Sequence, residues 1–219
     1  DFAAQTKANL RELGITTERV GVDCLNLEAV EALRDAGIKL VDGSRAINQA
    51  RAVKTADELQ LIRWTTRAKE KGYDLVRAAL HELDLPEERL SRIMLDSLLD
   101  QGFEAGSEFV SIYESSKARA HNEPMGTDMV VVEGNLVICD ATVAGPGGYY
   151  SDFARTFSRG TPTAQSRARY REAYQSLQQA LPLIKPGPCT ELFNRFGKHS
   201  SSRMAGLDGF HGVGLCIYE

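Results

Sequence analysis

Leu136-Val-Ile-Cys-Asp140-Ala-Thr-Val-Ala-Gly145-Pro-Gly-Gly148-Tyr-Tyr-Ser-Asp152-Phe-Ala-Arg-Thr-Phe157 is the stretch whose reading decides the fold. Leu136 to Ala141 has the apolar run of a strand, Gly145-Pro-Gly-Gly148 marks a tight reversal, and Tyr149 to Phe157 alternates as a return strand. In an unbulged hairpin centred near Pro146, Asp140 and Asp152 stand directly opposite each other, with side chains about 5 Å apart on one sheet face. Two bare carboxylates so placed repel. Asp140 also ends a row with Leu136 and Ile138, where an unpaired charge is unfavourable. A shared divalent cation resolves both conflicts; the alternative pairs one aspartate with Arg155 and leaves the other to serve the turn.

Upstream, Thr55-Ala-Asp-Glu58 has the form of a capping box, so a long helix is expected to begin there. Leu59, Ile62, Ala68, Leu75 and Ala78 supply its apolar positions, and Gly72 weakens its middle. Pro86 suits the first turn of a second helix that runs to about Gln101 and stops at Gly102. Phe109 to Tyr113 and Met129 to Val132 are further strand candidates. Downstream, helices are expected over about Ala164 to Leu183 and Thr190 to Lys198. The charged stretches Arg67 to Lys71 and Arg167 to Arg171 read as solvated helix faces.

The first fifty residues alternate differently. Phe2 to Leu13 reads as a helix closed by Gly14, Arg19 to Asp23 as a strand, Leu27 to Ala36 as a helix closed by Gly37, and Ile38 to Asp42 as a strand. That α/β alternation over Asp1 to about Ala50 is short for an independent core. It reads as the tail of a domain that begins upstream.

Composition narrows the class. With 219 residues, 42% hydrophobic residues and 26 Lys+Arg against 30 Asp+Glu, the chain is of ordinary globular type. The net charge of −4 argues against a nucleic-acid partner. No apolar run approaches the roughly 20 residues of a membrane helix, so no membrane partner is expected. Cys24, Cys139, Cys189 and Cys216 form no C-x-x-C pair, which fits a reducing cytoplasm, and Asp1 to Leu10 lacks a secretory signal. Phosphate-loop, dinucleotide and nucleophile-elbow motifs are absent.

A second chemical feature lies near the other end. In His211-Gly-Val-Gly-Leu215 the glycines admit close backbone approach, while an imidazole on a strand is a common ligand for transition metals. Alone, a histidine such as His211 is more often a satisfied structural residue than a ligand. It gains weight jointly with the two aspartates.

Taken together, Leu136 to Asp140, Gly148 to Phe157 and His211 to Leu215 resemble, in order, three motifs of the pita-bread metallohydrolases: methionine aminopeptidase, aminopeptidase P, prolidase and creatinase. Ala50 to Arg63 looks like the first helix of that catalytic domain, and Gly21 to Asp23 with Val41 to Gly43 looks like the end of a creatinase-type N-terminal domain. The resemblance implies an α+β pita-bread catalytic domain over residues 51–219, incomplete at its C-terminus, preceded over residues 1–50 by the remnant of an α/β domain. By position, Asp140 would chelate one metal, Asp152 would bridge two, and His211 would bind the other. Two later glutamates complete the site in the family, and Glu219 is not one of them. The implied cofactors are two divalent ions of manganese, cobalt, iron or zinc.

The resemblance places His121 where the peptidases keep a histidine that contacts substrate or leaving group, as donor or general acid. Tyr218 stands where they usually have a histidine; a phenol can still donate to a tetrahedral oxyanion. The Asp140 to Asp152 spacing is one residue longer than in the usual peptidase hairpin. It looks closer to a non-peptidase branch that includes dimethylsulfoniopropionate lyases, which carry an aspartate where this chain has Thr142. The leading expectation is hydrolysis of a C–N bond in an Xaa-Pro peptide or small amide-like substrate, by a homodimer. A lyase or creatinase-like amidinohydrolase is the alternative enzyme, and a metal-free binding module the alternative from another class.

Overall fold

The computed structural model describes residues 1–16, 18–82, 84–103, 108–114, 129–187, 190–196 and 211–216, with backbone alone for 108–114, 193, 195 and 196. The chain divides into two compact units, Asp1–Val53 and Lys54–Glu219.

In the first unit, α1 (Phe2–Glu12) starts where the Asp1 carboxylate accepts from the amides of Ala3 and Ala4, and it ends before Gly14. Strands β1 (Arg19–Val22) and β2 (Lys39–Asp42) pair in parallel, with α2 (Leu27–Asp35) as the connection between them. Ala3, Leu33 and Ile38 form a small core with Leu10, Val20 and Leu40 packed against it. The helix α3 (Ser44–Ala52) was not foreseen. It buries no residue and its N-cap is Gly43, so no capping residue announces it, although Ser44 N donates to Asp42 Oδ1 at 2.9 Å.

The second unit begins with α4 (Ala56–Ala79). Its capping box forms as expected: Glu58 N donates to Thr55 Oγ1 at 3.3 Å and Thr55 N donates to the Glu58 carboxylate at 2.6 Å. The buried stripe is Thr65, Ala68, Lys69, Gly72, Tyr73, Val76 and Ala79, while Leu59 and Leu75 face solvent. Gly72 has a packing reason: a Cβ there would lie 2.4 Å from the Met94 sulfur of α5 (Glu87–Asp100). Pro86 is the residue that caps α5 rather than a member of its first turn.

Three antiparallel strands follow in the order β3 (Glu108–Glu114), β4 (Leu136–Ala144) and β5 (Tyr150–Ser158). Met129 to Val132 is not a strand. Only Val130 forms a bridge, to Pro86, because Asn135 accepts from Val132 N and Gly134 turns the chain at φ 83. The odd-numbered face of β4 is buried against the helices: Val137, Cys139, Ala141 and Val143 are at most 1% exposed and share one core with Val76, Leu90, Met94 and Leu98. The even-numbered face carries Asp140 and Thr142.

Beyond β5, α6 (Ala164–Ala180) is capped by Thr163 and closes in a short 3-10 turn at Leu181–Leu183; α7 spans Thr190–Phe196. His211 to Cys216 is an irregular segment rather than the expected strand, tied to the sheet by Tyr150 N donating to Gly214 O at 2.7 Å. Among the described residues no helix is long and apolar enough to cross a membrane.

Candidate metal centre

The β4–β5 turn sets the spacing of the aspartates. Gly145 N donates to Tyr149 O, and Pro146, Gly147 and Gly148 form the loop, with Gly147 at φ 70 and Gly148 at φ 79. The hairpin is therefore centred on Gly147, not Pro146. Asp140 pairs with Ala154 and Asp152 with Thr142, which corrects the directly facing pair expected from sequence. Moving the centre by one residue moves each partner by two, so both aspartates remain on one face. They are diagonal neighbours, for which about 7–8 Å between Cα atoms is usual.

Asp152 is held at both carboxylate oxygens. Thr142 Oγ1 donates to Oδ1 at 3.1 Å, and His211 Nε2 lies 3.2 Å from Oδ2. The His211 and Asp152 side chains are partly exposed, at 25% and 19%. The other imidazole nitrogen, Nδ1, is 3.0 Å from the Gly212 carbonyl oxygen. A carbonyl only accepts, so this contact puts the proton on Nδ1. Nε2 then faces a carboxylate oxygen, where it can donate to that oxygen or share a cation with it. Nδ1–H on a backbone carbonyl with Nε2 outward is also how metal-binding histidines are commonly oriented. The donor set of Asp152 and His211 fits a divalent cation.

Among the described residues, no three His, Cys, Asp or Glu side chains converge closely enough to hold a metal together. The structure thus brings Asp152 to His211 and leaves Asp140 two rungs along the same face. His121 and Tyr218 lie outside the described residues.

Beneath the hairpin, α4 supplies polar groups that the sequence reading missed. Lys69 is not part of a solvated face: it is fully buried, and its Nζ donates to the carbonyls of Ser151 and Phe153, both at 3.2 Å. Its ammonium lies 4.1 Å from the Phe153 ring centroid. Burial pushes the Lys69 pKa down to about 7, against the opposing pull of the Asp152 and Asp140 charges. Tyr73 donates to Phe153 O at 2.8 Å and accepts from Ala141 N at 3.1 Å; burial, and after it the Asp140 charge, raises its pKa and keeps the phenol protonated. The missed signal was positional. Lys69 is four residues from both Thr65 and Tyr73, in the buried register of the helix.

Residues 60–219 match the profile of metallopeptidase family M24. The chain belongs to that family. Among M24-type relatives, the Bacillus subtilis (strain 168) protein YkvY, named a dipeptidase, is 28% identical over 217 residues, covering 95% of this chain and 59% of its own length. The dimethylsulfoniopropionate lyase DddP of Roseovarius nubinhibens is 23% identical over 98% of this chain and 50% of its own. Among solved structures, the prolidase from Pyrococcus furiosus superposes with a TM-score of 0.74 at 21% identity, covering 96% of this chain and 64% of that one. These likenesses establish the α+β pita-bread fold. The chain spans between half and two thirds of the length of the relatives named. M24 is a family of enzymes built around two divalent metal ions.

Proposed function

We propose that this M24 chain carries metal-ligating residues of a hydrolase that cleaves C–N bonds of the Xaa-Pro dipeptide type. The carrying observation is the His211 Nε2 to Asp152 Oδ2 approach of 3.2 Å, with Nδ1 committed to a backbone carbonyl. Dipeptidase names among the relatives support the substrate class.

Asp152 and His211 would hold a divalent ion, with Asp140 on the same face as a further carboxylate ligand. Manganese, cobalt, iron and zinc all suit one imidazole among carboxylates. When bound, such ions acidify a water and polarise a carbonyl oxygen. The chain's own contribution is orientation: Thr142 fixes one oxygen of Asp152, and the Gly212 carbonyl fixes the imidazole. His121 would donate to the substrate or its leaving group, and Tyr218 to the developing oxyanion. We further infer that residues 1–50 derive from a creatinase-type N-terminal domain and that the enzyme is a cytoplasmic homodimer. Among the described residues Cys24, Cys139 and Cys216 form no disulfide, in keeping with a reducing compartment.

The test is metal content by mass spectrometry followed by assay of the metal-loaded protein on an Xaa-Pro dipeptide. Stoichiometric metal with dipeptide turnover supports the reading. Metal without turnover, together with cleavage of dimethylsulfoniopropionate, would transfer it to the lyase reading, which the match to the Roseovarius lyase over 98% of this chain favours. Absence of metal binding would favour a binding module.

A further inference from the structure

The two aspartates belong to neighbouring strands, and the rung beside them is Ala141↔Phe153. Ala141 follows Asp140, and Phe153 follows Asp152. The peptide groups of that rung are engaged by one side chain from α4: Tyr73 Oη accepts from Ala141 N at 3.1 Å and donates to Phe153 O at 2.8 Å. Tyr73 is only 3% exposed, and its ring packs edge-on against Phe153 with centroids 5.4 Å apart. Its hydroxyl therefore has little freedom. Lys69, one turn earlier, donates to the same Phe153 carbonyl and to that of Ser151, so the backbone on both sides of Asp152 is anchored to one helix.

Within the metal reading above, we propose that Tyr73 is a positioning residue: its hydroxyl, keyed to the Ala141–Phe153 rung, sets the separation of Asp140 and Asp152 and so the fit of the site to its ions. No atom of Tyr73 needs to touch metal or substrate. The reasoning separates this role from simple stabilisation. If the hydroxyl is removed, Ala141 and Phe153 remain paired in the ladder, so the sheet survives while the hold of α4 on that rung is lost and the spacing can relax. Metal sites are sensitive to that kind of change, because outer-shell groups typically govern affinity by about 10–100-fold.

The experiment is cobalt(II) titration of the parent chain, Tyr73→Phe and Tyr149→Phe, followed by visible absorption, with thermal melts of each. Tyr149 is the control because its hydroxyl also makes a side-chain bond, to the Glu58 carboxylate at 2.9 Å, away from the rung. The expected result is cobalt affinity about tenfold weaker in Tyr73→Phe, with altered d–d bands and a cooperative melt, and unchanged affinity in Tyr149→Phe. Affinity within twofold of the parent and an unchanged spectrum would overturn the proposal, as would an equal loss in Tyr149→Phe. If Tyr73→Phe does not melt cooperatively, Tyr73→Leu, which likewise removes the hydroxyl from that rung, is read by the same criteria. A parent chain that takes up no cobalt overturns the metal reading and this proposal together; a parent that binds with Tyr73→Phe unaffected overturns this proposal alone.

Discussion

His211 Nε2 and Asp152 Oδ2 approach to 3.2 Å across 59 residues of sequence, and the Gly212 carbonyl claims the opposite ring nitrogen. In the proposed function the pair would share one cation. Replacing Asp152 by Ala should abolish metal uptake while leaving the helices and the hairpin intact, and His211→Ala should weaken uptake by at least about tenfold. Metal-to-protein ratios after dialysis, alongside circular dichroism, check both. Retained stoichiometric metal in Asp152→Ala would refute the assignment.

Gly145 illustrates how the turn is seated on α4. Its backbone angles suit any residue, yet an added Cβ would lie 2.1 Å from Thr65 Oγ1, which is itself bonded to Leu61 O and Tyr149 O. Thr65 is short and branched and cannot swing away. Gly145→Ala should therefore cost about 1–3 kcal/mol by overpacking. Most of that loss should be recovered in the double variant with Thr65→Ala, as read by urea denaturation. Additive effects of the two changes would show that the clash is not the cause.

Lys69 gives a pH dependence of definite sign in the metal-free protein. Burial lowers its pKa from the ordinary 10.5 to about 7 in the folded chain. Below that value both states carry the proton and the burial penalty is present in full. Between about 7 and 10.5 the folded chain gives up a proton that the unfolded chain keeps, so this residue's contribution to stability grows as pH rises. Relative to Lys69→Met, the parent should gain stability through that window, with a slope of up to about 1.4 kcal/mol per pH unit. Parallel denaturation curves for the two proteins from pH 7 to 10 would rule this out.

Glu58 behaves oppositely. Bonds from the Thr55 amide and hydroxyl, and then from the Tyr149 hydroxyl, hold its carboxyl below the usual carboxylate range. Its contribution is complete above the ordinary pKa and is lost as pH falls through the lowered folded value. Glu58→Gln should therefore melt below the parent at pH 7, and the gap should close in acid. A gap of constant size from pH 7 to pH 2 would contradict this.

Much of the site was legible because parity survives small errors. Asp140 and Asp152 were assigned to one face from an incorrect hairpin centre, and a one-residue error in the centre leaves the face unchanged. Their partners, Ala154 and Thr142, were not legible, because two left-handed glycines after Pro146 decided where the loop closes. Thr55 and Glu58 announced α4 through a reciprocal capping box, whereas α3 starts after Gly43 and buries nothing. Lys69 was misread because neighbouring charges suggested solvent, while the helical period that includes Thr65 and Tyr73 placed it inside. The docking of His211 on Asp152 is a long-range event that no local pattern encodes.

The bond from Tyr150 N to Gly214 O has a consequence for the order of assembly. A hairpin with a three-residue loop closes within about 1–10 μs, so the acidic pair exists early. The imidazole arrives only after a far longer stretch of chain has returned to the outer edge of β5, against a larger closure entropy. During that interval the nascent hairpin offers oxygen ligands alone, which hard cations such as magnesium or calcium can visit. On the proposed assignment, arrival of the imidazole would be the moment at which the growing protein begins to discriminate among metals.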